Sequence, residues 1–351
     1  MGGRCSDGSV RMPRLKASPD LPVAYYHCLS RVVNRDFVFG DLEREKFVEL
    51  LRMYEAFCQV RVVTYCVMSN HFHVLLEVPQ RPTSVDLSDE DLIQGLKAIY
   101  SPMQLASVRA QLLLFHDTGA GEAAEAYKQS FLARMWDVSA FMKLVKQRFS
   151  QWFNRVHQRK GTLWEQRFKS VLVEAANEAL WAMSAYIELN PVRGGIVDDP
   201  KDYRWCSYAE ALAGGKAAQE GLRVVVEAQS DQRALQARQI LSLYRNLLFV
   251  AGEEEGPDEE NQRALRRGFS PAQIASVLKA KGRLSWPQML RCKVRYFSDG
   301  VALGSRSFVE QIFLSQRHRF SPARKTGARP LRQLEARSLR TLRDLRVQPV
   351  G

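Results

Sequence analysis

Two periods organise the first two hundred residues of this chain. In "MSNHFHVLLEVP" (68–79) side chains alternate, so His71 and His73 fall on one face of a strand while Phe72, Val74 and Leu76 fall on the other. The runs "AYYHCLSRVV" (24–33), "VRVVTYCVM" (60–68) and "RFKSVLVE" (167–174) share this β-rich character, and the tight "SN" turn between 60–68 and the histidine strand predicts a hairpin. Between them lie stretches with helical spacing. "DLEREKFVELLRMYEAFCQ" (41–59) repeats at Phe47, Leu50, Leu51 and Tyr54, with Asp41 placed to cap it. From Ser139, "SAFMKLVKQRFSQWFNRVHQ" repeats at Phe141, Leu144, Val145, Arg148, Phe149, Trp152 and Phe153. "NEALWAMSAYIELN" (177–190) forms a further helix, which Pro191 is expected to stop. The order β-α-β-β-α-β plus one helix predicts an α+β fold: a ferredoxin-like antiparallel sheet carrying a layer of helices.

The remainder reads as additions. Residues 80–137 form a helical insertion broken at Pro102 and at Gly119 and Gly121. Residues 1–21 are a basic leader without the apolar core of a secretory signal. The main unit spans 22–215, and 216–262 is a helical connector ending in the acidic linker "AGEEEGPDEENQ" (251–262). Residues 263–320 predict three short helical units, with Ser270, Ser285 and Ser305 as N-caps, either as a helix-turn-helix-like DNA module or as a packing appendage. Residues 321–351 are an Arg-rich tail expected to be mobile.

Charge sharpens this picture. The net charge of the 351 residues is +13, yet residues 261–351 hold 20 Lys and Arg against 4 Asp and Glu, or +16, so the other 260 residues sum to −3. A basic end of this kind suits a polyanion such as nucleic acid, although solvated helix faces produce the same count. No apolar run approaches the roughly 18 residues of a membrane span, and no membrane partner is expected. Cys5, Cys28, Cys58, Cys66, Cys206 and Cys292 form no Cys-x-x-Cys pair, which argues against a zinc cluster or a disulfide framework.

The candidate chemistry sits on two elements. Two imidazoles converging from one strand are half of a metal site. On the helix 177–190, Tyr186 and Asn190 are four residues apart and share a face that the small Ala182 leaves open. Packed beside the histidine strand, this helix would offer the Asn190 oxygen as a third ligand and set Tyr186 one turn away. Two imidazoles and an oxygen leave positions open on a hard divalent ion, Mg²⁺ or Mn²⁺, for a phosphodiester. A phenol is a weak nucleophile at neutral pH, a handicap that such an ion reduces by polarising the phosphate. "WFNRVHQRKGTLWEQRFK" (152–169) interleaves aromatic and basic residues as single-strand binders do. Of these, Trp164, Arg167 and Lys169 are the expected DNA contacts, followed by Arg155, Arg159 and Lys160. Arg193 could meet a phosphate or cap a carbonyl. His27 and His157 read as structural or surface residues.

"NHFHVLL" resembles the HUH metal motif, and "YIELNPVRGGIV" resembles the tyrosine-helix signature of REP-associated tyrosine transposases; "GTLWEQRFKSVLVE" resembles the segment preceding that helix. The resemblance covers about 22–212, interrupted by the insertion. It implies a single-stranded or hairpin DNA substrate, often from palindromic repeats, and one Mg²⁺ or Mn²⁺ on His71, His73 and Asn190. It also implies strand cleavage and transfer through a 5′-phosphotyrosine on Tyr186, in a bacterial cytoplasm, by a monomer or a homodimer. A different class, a domesticated hairpin-binding or regulatory protein without cleavage, would keep the basic C-terminus. A replication-initiator-type nicking enzyme would share the histidines but not the "NPVRGG" helix.

Overall fold

The computed structural model describes residues 15–18, 20–85, 87–175, 178–229, 235–249, 296–331 and 338–343. Strand β1 (Val23–Arg31) leads to helix α1 (Asp41–Cys58), then β2 (Arg61–Val67) and β3 (His71–Pro79). β1 runs antiparallel to β3, and β3 antiparallel to β2, so β3 lies between the two strands that α1 connects. The insertion follows as α2 (Asp89–Leu96), α3 (Pro102–Asp117) and α4 (Gly121–Leu132). Pro102 does not interrupt a helix there. It opens α3, where its missing N–H costs nothing.

Helix α5 (Val138–Val156) returns the chain to β4 (Lys169–Val173), which pairs antiparallel with the other side of β1. The order β2-β3-β1-β4 is the ferredoxin-like arrangement expected from the pattern. Beyond β4 come α6 (Glu178–Glu188), the single turn α7 (Asn190–Arg193), α8 (Ser207–Leu212), α9 (Lys216–Glu227) and α10 (Ala237–Phe249).

The pleat divides the core in two. Tyr26, Cys28, Phe72, Val74 and Leu76 point to the face covered by α1 and α5, where Phe47, Leu51, Phe141 and Phe149 meet them. Leu75, Val171 and Val173 point to the opposite face, against Met183 and Ile187 of α6, Leu222 of α9 and Tyr244 of α10. Gly221 lets α9 approach closely: a Cβ there would lie 2.5 Å from the Val62 and Val63 carbonyl oxygens. Cys28, Cys58, Cys66 and Cys206 are buried free thiols, and burial pushes Cys58 up to about 12.

Three local expectations change. Asp41 is the first helical residue of α1 rather than its cap; Gly40 is the cap, and its N–H donates to Glu43 Oε2 at 2.8 Å. The tyrosine helix does stop before Pro191, but at Glu188, two residues short of the expected bound, and Asn190 and Pro191 open α7 instead, where the proline needs no N–H. Near the C-terminus, where the pattern gives helices and a mobile tail, the chain also forms strands. After α11 (Tyr296–Asp299), β5 (Ala302–Gly304) pairs parallel with β4; helix α12 (Arg306–Ser315) then leads to β6 (Arg329–Pro330) and β7 (Arg340–Leu342). The sheet thus has seven strands, β2-β3-β1-β4-β5-β7-β6. Ser305 caps α12, its side chain accepting from the Phe308 N–H, as expected. The units around Ser270 and Ser285, and the acidic linker, lie outside the described residues, apart from Tyr296 and Phe297 at the end of the second unit. No helix among the described residues is long and apolar enough to cross a membrane.

Candidate active site

His71 is the first residue of β3, and His73 follows on the same face, the one that α6 covers. Their ring centroids are 5.2 Å apart at an interplanar angle of 82°. Tyr186 lies edge-on to His73, centroid to centroid 5.8 Å. The histidine pair and the tyrosine, about 115 residues apart along the chain, thus form one continuous set of ring contacts because α6 packs on the back of β3. His73 is 3 % exposed and Tyr186 4 %, whereas His71 is half-buried at the strand end.

Hydrogen bonds orient both rings. Asn70 Nδ2 donates to the Arg35 carbonyl at 3.0 Å, which turns its Oδ1 towards His71 Nδ1, 2.7 Å away. An amide oxygen only accepts, so His71 carries its proton on Nδ1 and its lone pair on Nε2. His73 Nδ1 lies 2.8 Å from His27 Nε2, and His27 Nδ1 lies 2.8 Å from the Phe297 carbonyl oxygen. Burial drives the pKa of His73 well below the ordinary imidazole range, with the positive charge of neighbouring groups adding to it. Burial likewise lowers His27 to about 4, outweighing the Phe297 hydrogen bond. His27 and His73 are therefore neutral at physiological pH, the form in which imidazole binds metal.

Asn190 opens α7, one turn beyond Tyr186. Its amide nitrogen is buried and has no hydrogen-bond partner in the described structure. Turning the amide end for end would leave an oxygen at that place. Two imidazoles and such an oxygen are donor types that a divalent ion takes. Two imidazoles bound to one ion through ring nitrogens have centroids on the order of 5 Å apart when the metal–nitrogen bond is about 2.1 Å, and the observed pair stands at 5.2 Å. Groups of three His, Cys, Asp or Glu residues able to hold a metal are absent among the described residues, so a third protein ligand would have to come from outside those types, as an amide does.

Tyr186 is covered on two sides. The Phe297 ring packs on it at 4.8 Å and 31°, and the Arg193 guanidinium carbon lies 4.1 Å from its centroid. Arg193 also donates to the Tyr186 carbonyl at 2.5 Å and so caps it. Behind the helix, Glu188 is fully buried beside Thr64 and the Tyr208 N–H, and burial raises it to about 7.

The expected DNA contacts separate. Trp164 is 9 % exposed and packs edge-on against Phe39, Phe47 and Phe72 and obliquely against Phe149, so it belongs to the core and offers no stacking platform. Arg167 and Lys169 are exposed, as are Arg155 and Lys160, while Arg159 is half-buried over Phe153. Arg167 and Lys169 line a cleft of about 160 Å³ with Leu29, Ser30, Arg31, Arg35, Glu165 and Gln166. Arg31 pairs directly with His71 across the strands, so this basic cleft borders the histidines. The sequence pattern does not mark Arg31, Arg35 or Asn70. It places His27 among structural or surface residues; His27 is buried, and its structural contact is the bond to His73. The alternation of β1 puts His27 and Leu29 on one face, and only the register of β1 with β3 shows which face that is.

Residues 21–110 match the family model described as IS200-like transposase. That stretch holds the histidine strand and stops short of the tyrosine helix. Among solved structures, one described as a REP-associated tyrosine transposase bound to a REP hairpin is 12 % identical; the likeness covers 55 % of this chain and 81 % of that one, with a TM-score of 0.35. No curated protein matches the chain.

Proposed function

We propose that this chain, whose residues 21–110 match the family model described as IS200-like transposase, is a single-strand DNA endonuclease and strand transferase that uses Tyr186 as its nucleophile. The observation that carries this reading is the meeting of His71, His73 and Tyr186 on one face of the sheet. His71 and His73, with Asn190 as third ligand, would hold one Mg²⁺ or Mn²⁺. Such an ion polarises the scissile phosphate and stabilises the departing oxygen.

The chain's own residues do the rest. The Tyr186 phenol would give up its proton to solvent as its oxygen bonds to phosphorus. The bond from phosphorus to the 3′ oxygen breaks, and that oxygen takes up a proton. The products are a 5′-phosphotyrosine and a free 3′-OH, and the reverse exchange with another 3′-OH rejoins a strand. Arg31, Arg35, Arg167 and Lys169 would lead the single strand along the basic cleft to the histidines. Arg193, against the Tyr186 ring, would balance negative charge as it develops at the phosphate. The hairpin as substrate rests on the motif resemblance.

A second reading has one observation in its favour. Tyr186 is covered by Phe297 and Arg193, an arrangement suited to a protein that holds hairpin DNA without cutting it. Incubation of the full chain with single-stranded hairpin DNA from repeats flanking its gene, with and without Mg²⁺ or Mn²⁺, separates the two on a denaturing gel. A covalent adduct that needs the ion and disappears in Tyr186→Phe and His71→Ala supports the enzyme. Tight binding with no adduct under any ion leaves the binding protein.

A further inference from the structure

We propose that His27 is a positioning residue of this site, which locks His73 in the tautomer that carries its lone pair on Nε2 and does so from an anchor on the C-terminal segment. The proposal deepens the metal-binding reading above and rests on it for its functional meaning.

The hydrogen-bond partners fix where each proton sits. The Phe297 carbonyl can only accept, so the 2.8 Å contact requires the hydrogen to sit on His27 Nδ1. A neutral His27 then has only a lone pair at Nε2. The 2.8 Å contact from that atom to His73 Nδ1 must therefore be filled by a hydrogen on His73. What remains on His73 is the lone pair at Nε2, the atom a divalent ion would take. The alternative, a doubly protonated His27, would bury a full positive charge in a ring that is 1 % exposed and lies edge-on to Tyr186.

Ring geometry agrees with this assignment. The two imidazoles are 11° from coplanar with centroids 5.1 Å apart, a separation that exceeds the nitrogen–nitrogen distance by about two ring radii. They therefore meet edge to edge, with the N–H directed along the accepting lone pair. The partner histidine is held by an analogous device of local origin, since His71 leans on Asn70 and the Arg35 carbonyl. His73 differs in the source of its anchor. The carbonyl that fixes it lies 270 positions from His27, on the segment that adds β5 to the sheet. The described C-terminal segment is thus part of the active site.

The test uses the full chain, ¹⁵N-labelled and metal-free, with two readouts: the His73 tautomer from long-range ¹H–¹⁵N spectra, and Mn²⁺ affinity by calorimetry. Wild type is expected to show His73 protonated at Nδ1. In His27→Ala that signature is lost and Mn²⁺ binds about 10- to 100-fold more weakly, the usual cost of removing a partner that orients a metal ligand. His27→Gln, whose amide oxygen reaches about as far as Nε2 and can accept from His73, restores most of the affinity. His27→Asn, which is too short to reach His73, does not. A merely structural role would lower stability in all three variants without this ordering. Wild-type His73 protonated at Nε2 overturns the proposal even if no variant folds. So does a wild type that binds Mn²⁺ with an affinity His27→Ala leaves unchanged, and that result keeps the metal reading. A wild type that binds no Mn²⁺ while His73 is protonated at Nδ1 has the opposite meaning: the metal reading fails and the relay stands.

Discussion

Trp164 and Arg167 stand three residues apart in one aromatic and basic stretch, and composition alone gives both the same role. The fold parts them. Trp164 forms an isolated bridge with Val32, just past the end of β1, its indole N–H donates to the Lys146 carbonyl at 3.2 Å, and Lys146 Nζ lies 5.0 Å over its ring. Trp164→Ala should therefore cost about 3–5 kcal/mol in urea unfolding, the usual range for emptying an aromatic core site. Arg167→Ala and Lys169→Ala, at exposed positions, should lower the unfolding midpoint far less. They should instead weaken single-strand DNA binding and reduce its salt slope by roughly 0.7 for each phosphate that is no longer neutralised. The opposite pattern would return Trp164 to the DNA surface. The histidines and Tyr186 were legible because strand alternation and helical spacing determine what shares a face. Whether a Trp after a turn points inward depends on which strand it crosses, and no local period encodes that.

At the scale of elements, the best-marked helix of the pattern, α5, also has the best-marked beginning. Asp137 Oδ1 accepts from the Ser139 N–H at 2.7 Å and the Ala140 N–H at 2.8 Å, while Lys16 reaches its other oxygen at 3.1 Å. Burial by itself would raise the Asp137 pKa. The two N–H donors and Lys16 together outweigh it and hold the carboxyl below its usual range. A depressed folded-state pKa contributes stability above the unfolded value, near 3.9, which is lost as pH falls through the lower folded value. Asp137→Ala should cost about 1–2 kcal/mol at pH 7, and its deficit should shrink below about pH 4. Asp137→Asn, still a capable cap, should lose less at neutral pH and show none of that extra acid sensitivity. Urea midpoints for the three chains at pH 7 and pH 3 decide the matter; a deficit independent of pH would mean that the charge of the cap contributes nothing. Elsewhere the pattern failed where elements are too short to have a period. β5, β6 and β7 are two or three residues long, and alternation over so few positions is indistinguishable from a loop. At Pro191 the rule that proline ends helices holds, but a new turn starting at Asn190 satisfies it equally well.

For the whole molecule, the consequential feature is where the C-terminal segment joins the sheet. The Leu172 N–H donates to the Val301 carbonyl and the Glu174 N–H to the Leu303 carbonyl, both at 2.9 Å, which seats β5 along β4. Glu174 then takes the Ser305 N–H and hydroxyl at the start of α12. Gly304 makes the join possible: a Cβ there would lie 2.7 Å from Glu174 Cβ and 2.7 Å from Phe308 Cδ1. Five residues before this strand, Phe297 supplies both the carbonyl behind His27 and the ring over Tyr186. Gly304→Val should therefore unseat β5 at a cost of about 1–3 kcal/mol and act on the site from outside it. Hydrogen exchange is expected to speed up at the Leu172 and Glu174 amides while the β2–β3 hairpin keeps its protection, because the ladder between those two strands does not touch the added segment. If β5 seats the Phe297 anchor, the same variant should shift His73 away from Nδ1 protonation with every side chain of the site intact. Faster exchange along β4 with an unchanged His73 spectrum would show that the added strands and the histidine relay are mechanically independent, and that Phe297 is held by its packing on Tyr186 alone.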